Sequence, residues 1–321
     1  MPFYQVLMWV FEEQINGKKL TSIINEQHEN VRYLPGVKLP TNVVATPDVC
    51  EAAKDADVLI FVMPHQFLHK TCLQIKPVLK PGAYGVSLIK GLALSNEQGI
   101  RLLTDLIREE LQIPCAVIMG ANLATEVSQE NYCEATIGAK DLSIGRELKL
   151  LFQTNYFRMT IIKDEVGAEL CGALKNIVAV GAGIIEGLGY GDNTKAAVIR
   201  LGFMEMKAFI YQFFGDRDPQ EGTFLESCGV ADLITTCYGG RNKRMGIALA
   251  KSNKSIQELE REQLDGQSAQ GPLTASEVFA MLERMKLTDR YPLFTAVHRI
   301  CTRQLAANEF INCLAEHPSH M

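Results

Sequence analysis

The residues best suited to do chemistry fall at a few separated places along the chain. Lys175-Asn176 stands inside an apolar run over 166–188, where glycine or alanine occupies 167, 168, 172, 173, 179, 181, 182 and 183. That composition reads as a helix packed closely on several sides, in which an unpaired ammonium costs on the order of several kcal/mol. Two readings of Lys175 stand: a proton donor or substrate clamp whose pKa is tuned by burial, or a lysine that snorkels or pairs with a carboxylate for packing. Gly229-Val-Ala-Asp232-Leu-Ile-Thr-Thr236 puts Asp232 and Thr236 four apart on one helix face. The acid could hold an ammonium and the hydroxyl could reach the same ligand, or the two form an ordinary helix pair. In Tyr238-Gly-Gly-Arg241-Asn242 the glycines end one helix and a guanidinium begins the next, which makes either an anion site or a plain helix corner. Lys90 follows a buried strand and precedes a glycine, the place where α/β sheets put ligands. A second lysine near Lys175 would disfavour its charge and help it act as an acid near neutral pH. Gln270-Gly271-Pro272 is by itself a polar turn.

These groups need elements to position them. The β-rich runs over 4–12, 42–45, 56–64, 85–89 and 115–119 alternate with helical patterns over 46–54, 65–79 and 96–111, with a mixed, helix-compatible segment through 27. Such alternation specifies a doubly wound, parallel α/β sheet with ligands beyond the strand carboxyl ends. Those ends carry Glu12, Pro64-His65-Gln66-Phe67, Lys90-Gly91 and Gly120-Ala-Asn122. Two further strands are expected at 136–138 and 158–162, after which the period becomes helical, so we expect a sheet domain over 1–163 and an all-α domain over 164–321. In the second, Asp192-Asn-Thr194 should cap a helix over 195–213, with later helices near 229–238, 242–252, 255–264, 273–285 and 292–306. Gly181, Gly183 and Gly187 imitate a phosphate loop, but their G-x-G-x-x-x-G spacing continues a helix and is read as packing.

With 321 residues the chain can hold two domains, and 21% charged residues against 47% hydrophobic ones argue for a globular protein. A net charge of -5 gives no case for nucleic acid or an anionic membrane as partner. The nine cysteines are scattered without metal-ligand spacing, no leader pattern opens the chain, and Lys175, Asn176 and Glu186 interrupt the longest apolar stretch. The expected compartment is the cytoplasm, with no metal.

The segments Ser-Leu-Ile-Lys90-Gly, Cys171-Gly-Ala-Leu-Lys-Asn176, Gly191-Asp-Asn-Thr-Lys-Ala-Ala-Val-Ile-Arg200, Glu226 through Asn242 and Gln270-Gly-Pro272 resemble the signatures of NAD-dependent glycerol-3-phosphate dehydrogenases of the eukaryotic cytosolic form. The resemblance runs from about Met8 to Met321. It implies exchange of dihydroxyacetone phosphate and sn-glycerol 3-phosphate with NAD(H) as cofactor, in a homodimer. It also implies Lys175 as general acid and base with Lys90, Asn176, Asp232 and Thr236 around it, and Arg241 with Asn242 on the phosphate. Phe11, Phe67, Lys90, Ala124, Arg241 and Gln270 match positions that line the cofactor.

The pattern departs from the family in one large respect. The strand, G-x-G-x-x-G and helix expected before the strand at 6–11 are not found, and Ser268 stands where a lysine is usual. That unit ordinarily cradles the pyrophosphate and supplies a central strand. Two explanations follow: a working dehydrogenase represented by a shortened chain, or a non-catalytic relative that dimerises with or modulates a complete subunit. A different phosphorylated substrate is a third. Weak NADH binding by these 321 residues is expected.

Overall fold

The computed structural model describes residues 5–95, 99–264 and 266–320. The first part runs β1 (Val6–Trp9), the hairpin β2 (Gln14–Ile15) and β3 (Lys18–Lys19), α1 (Leu20–Gln27), β4 (Val43–Thr46), α2 (Val49–Ala53), β5 (Val58–Phe61), α3 (Leu68–Ile75) and β6 (Tyr84–Ser87). It continues with a second hairpin, β7 (Ala93–Ser95) and β8 (Gly99–Arg101), then α4 (Leu103–Leu111), β9 (Cys115–Met119), α5 (Ala124–Ser128), β10 (Cys133–Gly138), α6 (Leu142–Phe152) and β11 (Phe157–Ile162). The main sheet has the order β11-β10-β9-β6-β5. β5, β6 and β9 are parallel, β10 runs antiparallel to β9, and β11 is parallel to β10. The sheet is therefore mixed at one side, where the sequence pattern predicts parallel strands throughout.

β1 and β4 pair in parallel as a separate two-stranded sheet. A doubly wound sheet runs 3-2-1-4-5-6, and β4, β1, β5, β6 and β9 supply every place in that order except the first strand's. Among the described residues β1 pairs only with β4 and β5 only with β6. The division between the sheets thus falls where the sequence pattern leaves out a strand, loop and helix.

Several local expectations change. In place of a helix over 96–111, β8 precedes a helix that begins at Leu103, and 96–98 lie outside the described residues. Gly99 has φ +84 and breaks the helical path. The helix start is set from a distance: the buried Glu169 carboxylate accepts from Leu103 N at 2.6 Å and Thr104 N at 3.3 Å. Burial pushes that carboxyl up to about 7.

All regular structure after β11 is helical among the described residues: α7 (Glu165–Gly187), α8 (Asp192–Phe214), α9 (Asp232–Tyr238), α10 (Gly240–Lys251), α11 (Ile256–Gln263), α12 (Gln270–Arg284), α13 (Pro292–Cys301) and α14 (Phe310–Ala315). Asp192-Asn-Thr194 lies inside the first turn of α8, with Gly191 in the capping place. α12 begins at Gln270, earlier than expected, because Pro272 in its first turn lacks only an N–H that would have had no helical partner. α13 stops at Cys301, and Arg303 in the left-handed region at φ 61 turns the chain toward α14, which no sequence signal marked.

α7 organises this half. Asp164 caps it, accepting from Gly167 N at 2.7 Å, and residues 165–185 are all buried. It is long and apolar enough to cross a membrane by length and composition, yet here it is the core helix, packed against α8, α9, α10, α12 and β9. α10 crosses it at backbone distance: a Cβ on Gly183 would lie 2.1 Å from Lys243 O, and one on Gly246 2.1 Å from Val180 O. The glycine run is packing, as its spacing suggests.

Candidate active site

Halfway along α7, Lys175 is 3% exposed and donates from Nζ to Asp232 Oδ1 and, at 2.6 Å, to Thr236 Oγ1. The other oxygen of Asp232 accepts from Lys90 Nζ at 2.9 Å. Lys90 also donates to Gly120 O at 3.0 Å and Asn122 Oδ1 at 3.2 Å, so the ends of β6 and β9 hold it. One buried carboxylate therefore bridges two ammoniums, and the cluster carries net positive charge when both are protonated. Burial pulls Lys175 down to about 7; Asp232 opposes the fall and Lys90 adds to it. The shifted pKa of the first reading and the carboxylate pairing of the second are both present in one side chain.

Asp232 reaches this place because of the turn before it. Ser227–Ala231 forms one π-helical turn, docked on the sheet through Ser227 Oγ to Glu134 O at 2.8 Å and Cys228 N to Thr136 Oγ1 at 3.2 Å. That docking fixes the start of α9, and Thr236 one turn on donates back to Asp232 O at 2.7 Å.

Asn176, the neighbour of Lys175, donates to Lys90 O at 3.3 Å and accepts from Asn242 Nδ2 at 2.8 Å. Asn242 Oδ1 in turn accepts from Gly271 N at 2.8 Å. This chain of amides ties α7, α10 and α12 together and leaves one N–H of Asn242 Nδ2 without a partner among the described residues. Arg241 stands apart from the lysine cluster, with Nη1 donating to Gln267 Oε1 at 3.3 Å. Among the described residues it makes no ion pair; although the side chain as a whole is exposed, partial desolvation of its guanidinium, then Arg244, hold its pKa below the ordinary arginine value. A bound anion would offset the repulsion between Arg241 and Arg244.

Phe11 follows β1 and Phe67 follows β5; they are 78% and 54% exposed, large aromatic faces left open beyond strand carboxyl ends. Ala124 opens α5 and Gln270 opens α12. Open aromatic faces at the strand ends fit the planar rings of a dinucleotide. The phosphate-binding loop of such a site has no counterpart among the described residues.

Sequence reasoning brought Lys175, Lys90, Asp232, Thr236, Asn176 and Asn242 to attention, and a continuous hydrogen-bond network joins them. It passed over Gln267 and Glu277. Gln267 sits in a polar loop that gives no signal, and Glu277 is a carboxylate in the second turn of a helix, where acids are common.

Residues 3–144 match the family described as NAD-dependent glycerol-3-phosphate dehydrogenase N-terminus, and residues 164–312 its C-terminus. The cytoplasmic NAD(+) glycerol-3-phosphate dehydrogenases of Homo sapiens and Drosophila melanogaster are each 57% identical over 99% of this chain, which covers 90% and 87% of their lengths. Among solved structures, glycerol-3-phosphate dehydrogenase from Saccharomyces cerevisiae superposes with a TM-score of 0.84 at 43% identity, over 97% of this chain and 90% of that one. DsGPDH of Dunaliella salina gives 0.91 at 42% identity over 95% of this chain, which spans about half, 53%, of that protein. The carboxylate-bridged lysines, the arginine at a helix start and the open strand ends thus sit in a chain whose two halves both match one family: it belongs to the NAD-dependent glycerol-3-phosphate dehydrogenases.

Proposed function

We propose that the chain reduces dihydroxyacetone phosphate to sn-glycerol 3-phosphate, reversibly, with Lys175 as the general acid and base. The observation that carries this is the lysine pair on one buried carboxylate, with Lys175 held at about 7. When bound, NAD(H) supplies or accepts the hydride at the substrate carbon. As that carbon is reduced, negative charge grows on its oxygen; Lys175 stabilises the charge and gives up a proton there, leaving a neutral amine that solvent reprotonates. Asp232 and Thr236 aim the ammonium, and Lys90 adds positive potential without being the donor.

In this reading Arg241 and the free N–H of Asn242 hold the phosphate, and that distant anchor supplies binding energy for orientation. Phe11, Phe67, Ala124 and Gln270, with Lys90 and Arg241 at the inner end, would line the cofactor. Residues 1–163 and 164–321 form the cofactor and catalytic domains. The working form is a homodimer in the cytoplasm, and the net charge of -5 supports neither nucleic acid nor membrane as partner.

The test is NADH absorbance followed with dihydroxyacetone phosphate and with unphosphorylated dihydroxyacetone. Phosphate-dependent oxidation that disappears in Lys175→Met is expected. The same rate in the variant sinks the assignment of the acid. A chain without activity that lowers or raises the rate of a complete subunit would favour a non-catalytic, modulating role.

A further inference from the structure

One polar cluster outside the lysine network joins the strand ends to the helical half. His65 opens the short turn after β5, and its ring is nearly enclosed, with 7% of the side chain exposed. Its Nε2 lies 3.1 Å from Glu277 Oε1 and its Nδ1 3.2 Å from Gln270 Oε1. Both partners belong to α12, seven residues or two turns apart, on one face of the helix. On its other side the ring abuts the backbone after Lys90: a Cβ on Gly91 would lie 2.6 Å from His65 Nδ1. The carboxylate of Glu277 is 6% exposed as a side chain, and its second oxygen is buried without a hydrogen-bond partner among the described residues. A carboxylate buried in this way is costly unless its one partner contributes strongly.

We infer that His65 is a positioning residue that latches the first two turns of α12 to the β5 corner, and thereby sets the Gln270 amide on the side read above as facing the cofactor. The inference rests on the cofactor reading above and extends it to two residues that line nothing themselves. Three features support a latch rather than simple packing. The ring bridges two helix turns, so losing it frees both. The β5 corner it grips also carries Phe67, and the Gly91 backbone it touches is continuous with Lys90, so one imidazole fixes the spacing of groups from both halves. With the amide oxygen on the ring, the Gln270 NH2 is left to donate elsewhere.

The experiment compares the full chain with His65→Ala, Glu277→Ala and the double variant. Amide hydrogen exchange is read over 266–277 and over α7 and α8, with NADH dissociation constants from fluorescence titration and steady-state kinetics alongside. Expected are exchange at least tenfold faster over 266–277 with α7 and α8 unchanged, and NADH dissociation constant and KM each raised at least fivefold. KM for dihydroxyacetone phosphate and kcat should stay within twofold, and the double variant should be no worse than either single one, as members of one unit behave. Unchanged exchange over 266–277, unchanged NADH affinity or multiplicative effects in the double variant would each overturn the latch. Faster exchange everywhere would show a merely structural role and overturn it too. A wild-type chain that binds NADH but turns nothing over would defeat the proposed reaction alone, since exchange and affinity still decide the latch; one that binds no NADH would defeat the latch's cofactor role.

Discussion

Replacing Lys175 with methionine separates the cost of the buried ammonium from its use. The ordinary lysine value of 10.5 falls to about 7 on folding, mainly through burial. Between those values the unfolded chain binds more protons than the folded one, so stability rises with pH from about 7 to about 10 and is lost as pH falls through 7. A shift of this size corresponds to about 5 kcal/mol across the window. Solvent screening reduces it little, because the group is 3% exposed. Methionine keeps the length and the apolar stem, and Asp232 keeps its bond to Lys90 at 2.9 Å, so no charge is left unpaired. Urea denaturation of both proteins from pH 6 to 10 should therefore give curves that diverge as pH rises. The wild type should gain about 4 kcal/mol relative to the variant between pH 6 and 10, the part of the full shift that falls inside that range. In the same variant the fall in reduction rate above pH 7 should vanish along with about 100- to 10,000-fold of the rate. Parallel stability curves would refute the burial argument even if the variant were inactive.

Arg241→Ala should cut kcat/KM for dihydroxyacetone phosphate by about 30- to 1,000-fold, about 2–4 kcal/mol of lost phosphate binding, and leave unphosphorylated dihydroxyacetone unaffected. An equal loss on both substrates would remove Arg241 from the phosphate. Gly246→Ala should destabilise the protein by about 2–3 kcal/mol, because its methyl would need the space of Val180 O, 2.1 Å away; Gly222→Ala, with nothing within 4 Å, should fall within about 0.5 kcal/mol. Denaturant midpoints for the pair measure the difference. NADH should bind these 321 residues at least tenfold more weakly than the human relative, since the described strands present no phosphate loop, and calorimetric titration of both proteins decides it.

What could be read from the sequence, and what could not, divides by the range of the forces involved. Lys175 was conspicuous because a charge inside a run of small apolar residues breaks a local pattern, and Asp232 and Thr236 because four residues make one helix turn. Parallel strands alternating with helices likewise follow from local periodicity. The helix expected over 96–111 starts instead at Leu103, because Glu169, sixty-odd residues away, caps it. α12 is likewise helped to its early start, beside Pro272, by Asn242, 29 positions before Gly271, whose amide oxygen accepts from Gly271 N.

The same distinction explains the His65–Glu277 pair. Each residue is ordinary in its own neighbourhood, a histidine after a strand and a glutamate on a helix, and 212 positions separate them. Only the packing of the two halves makes them one buried unit. The network around Lys175 has the same character: the lysine is local, but its acidity depends on Lys90 from a strand end and Asp232 from a helix fixed by a π-turn. The tuned pKa is therefore a property of how the halves are held together. A change that displaces Lys90 or Asp232 without touching the lysine should therefore move that pKa, whereas one that frees only the His65 corner should leave it in place.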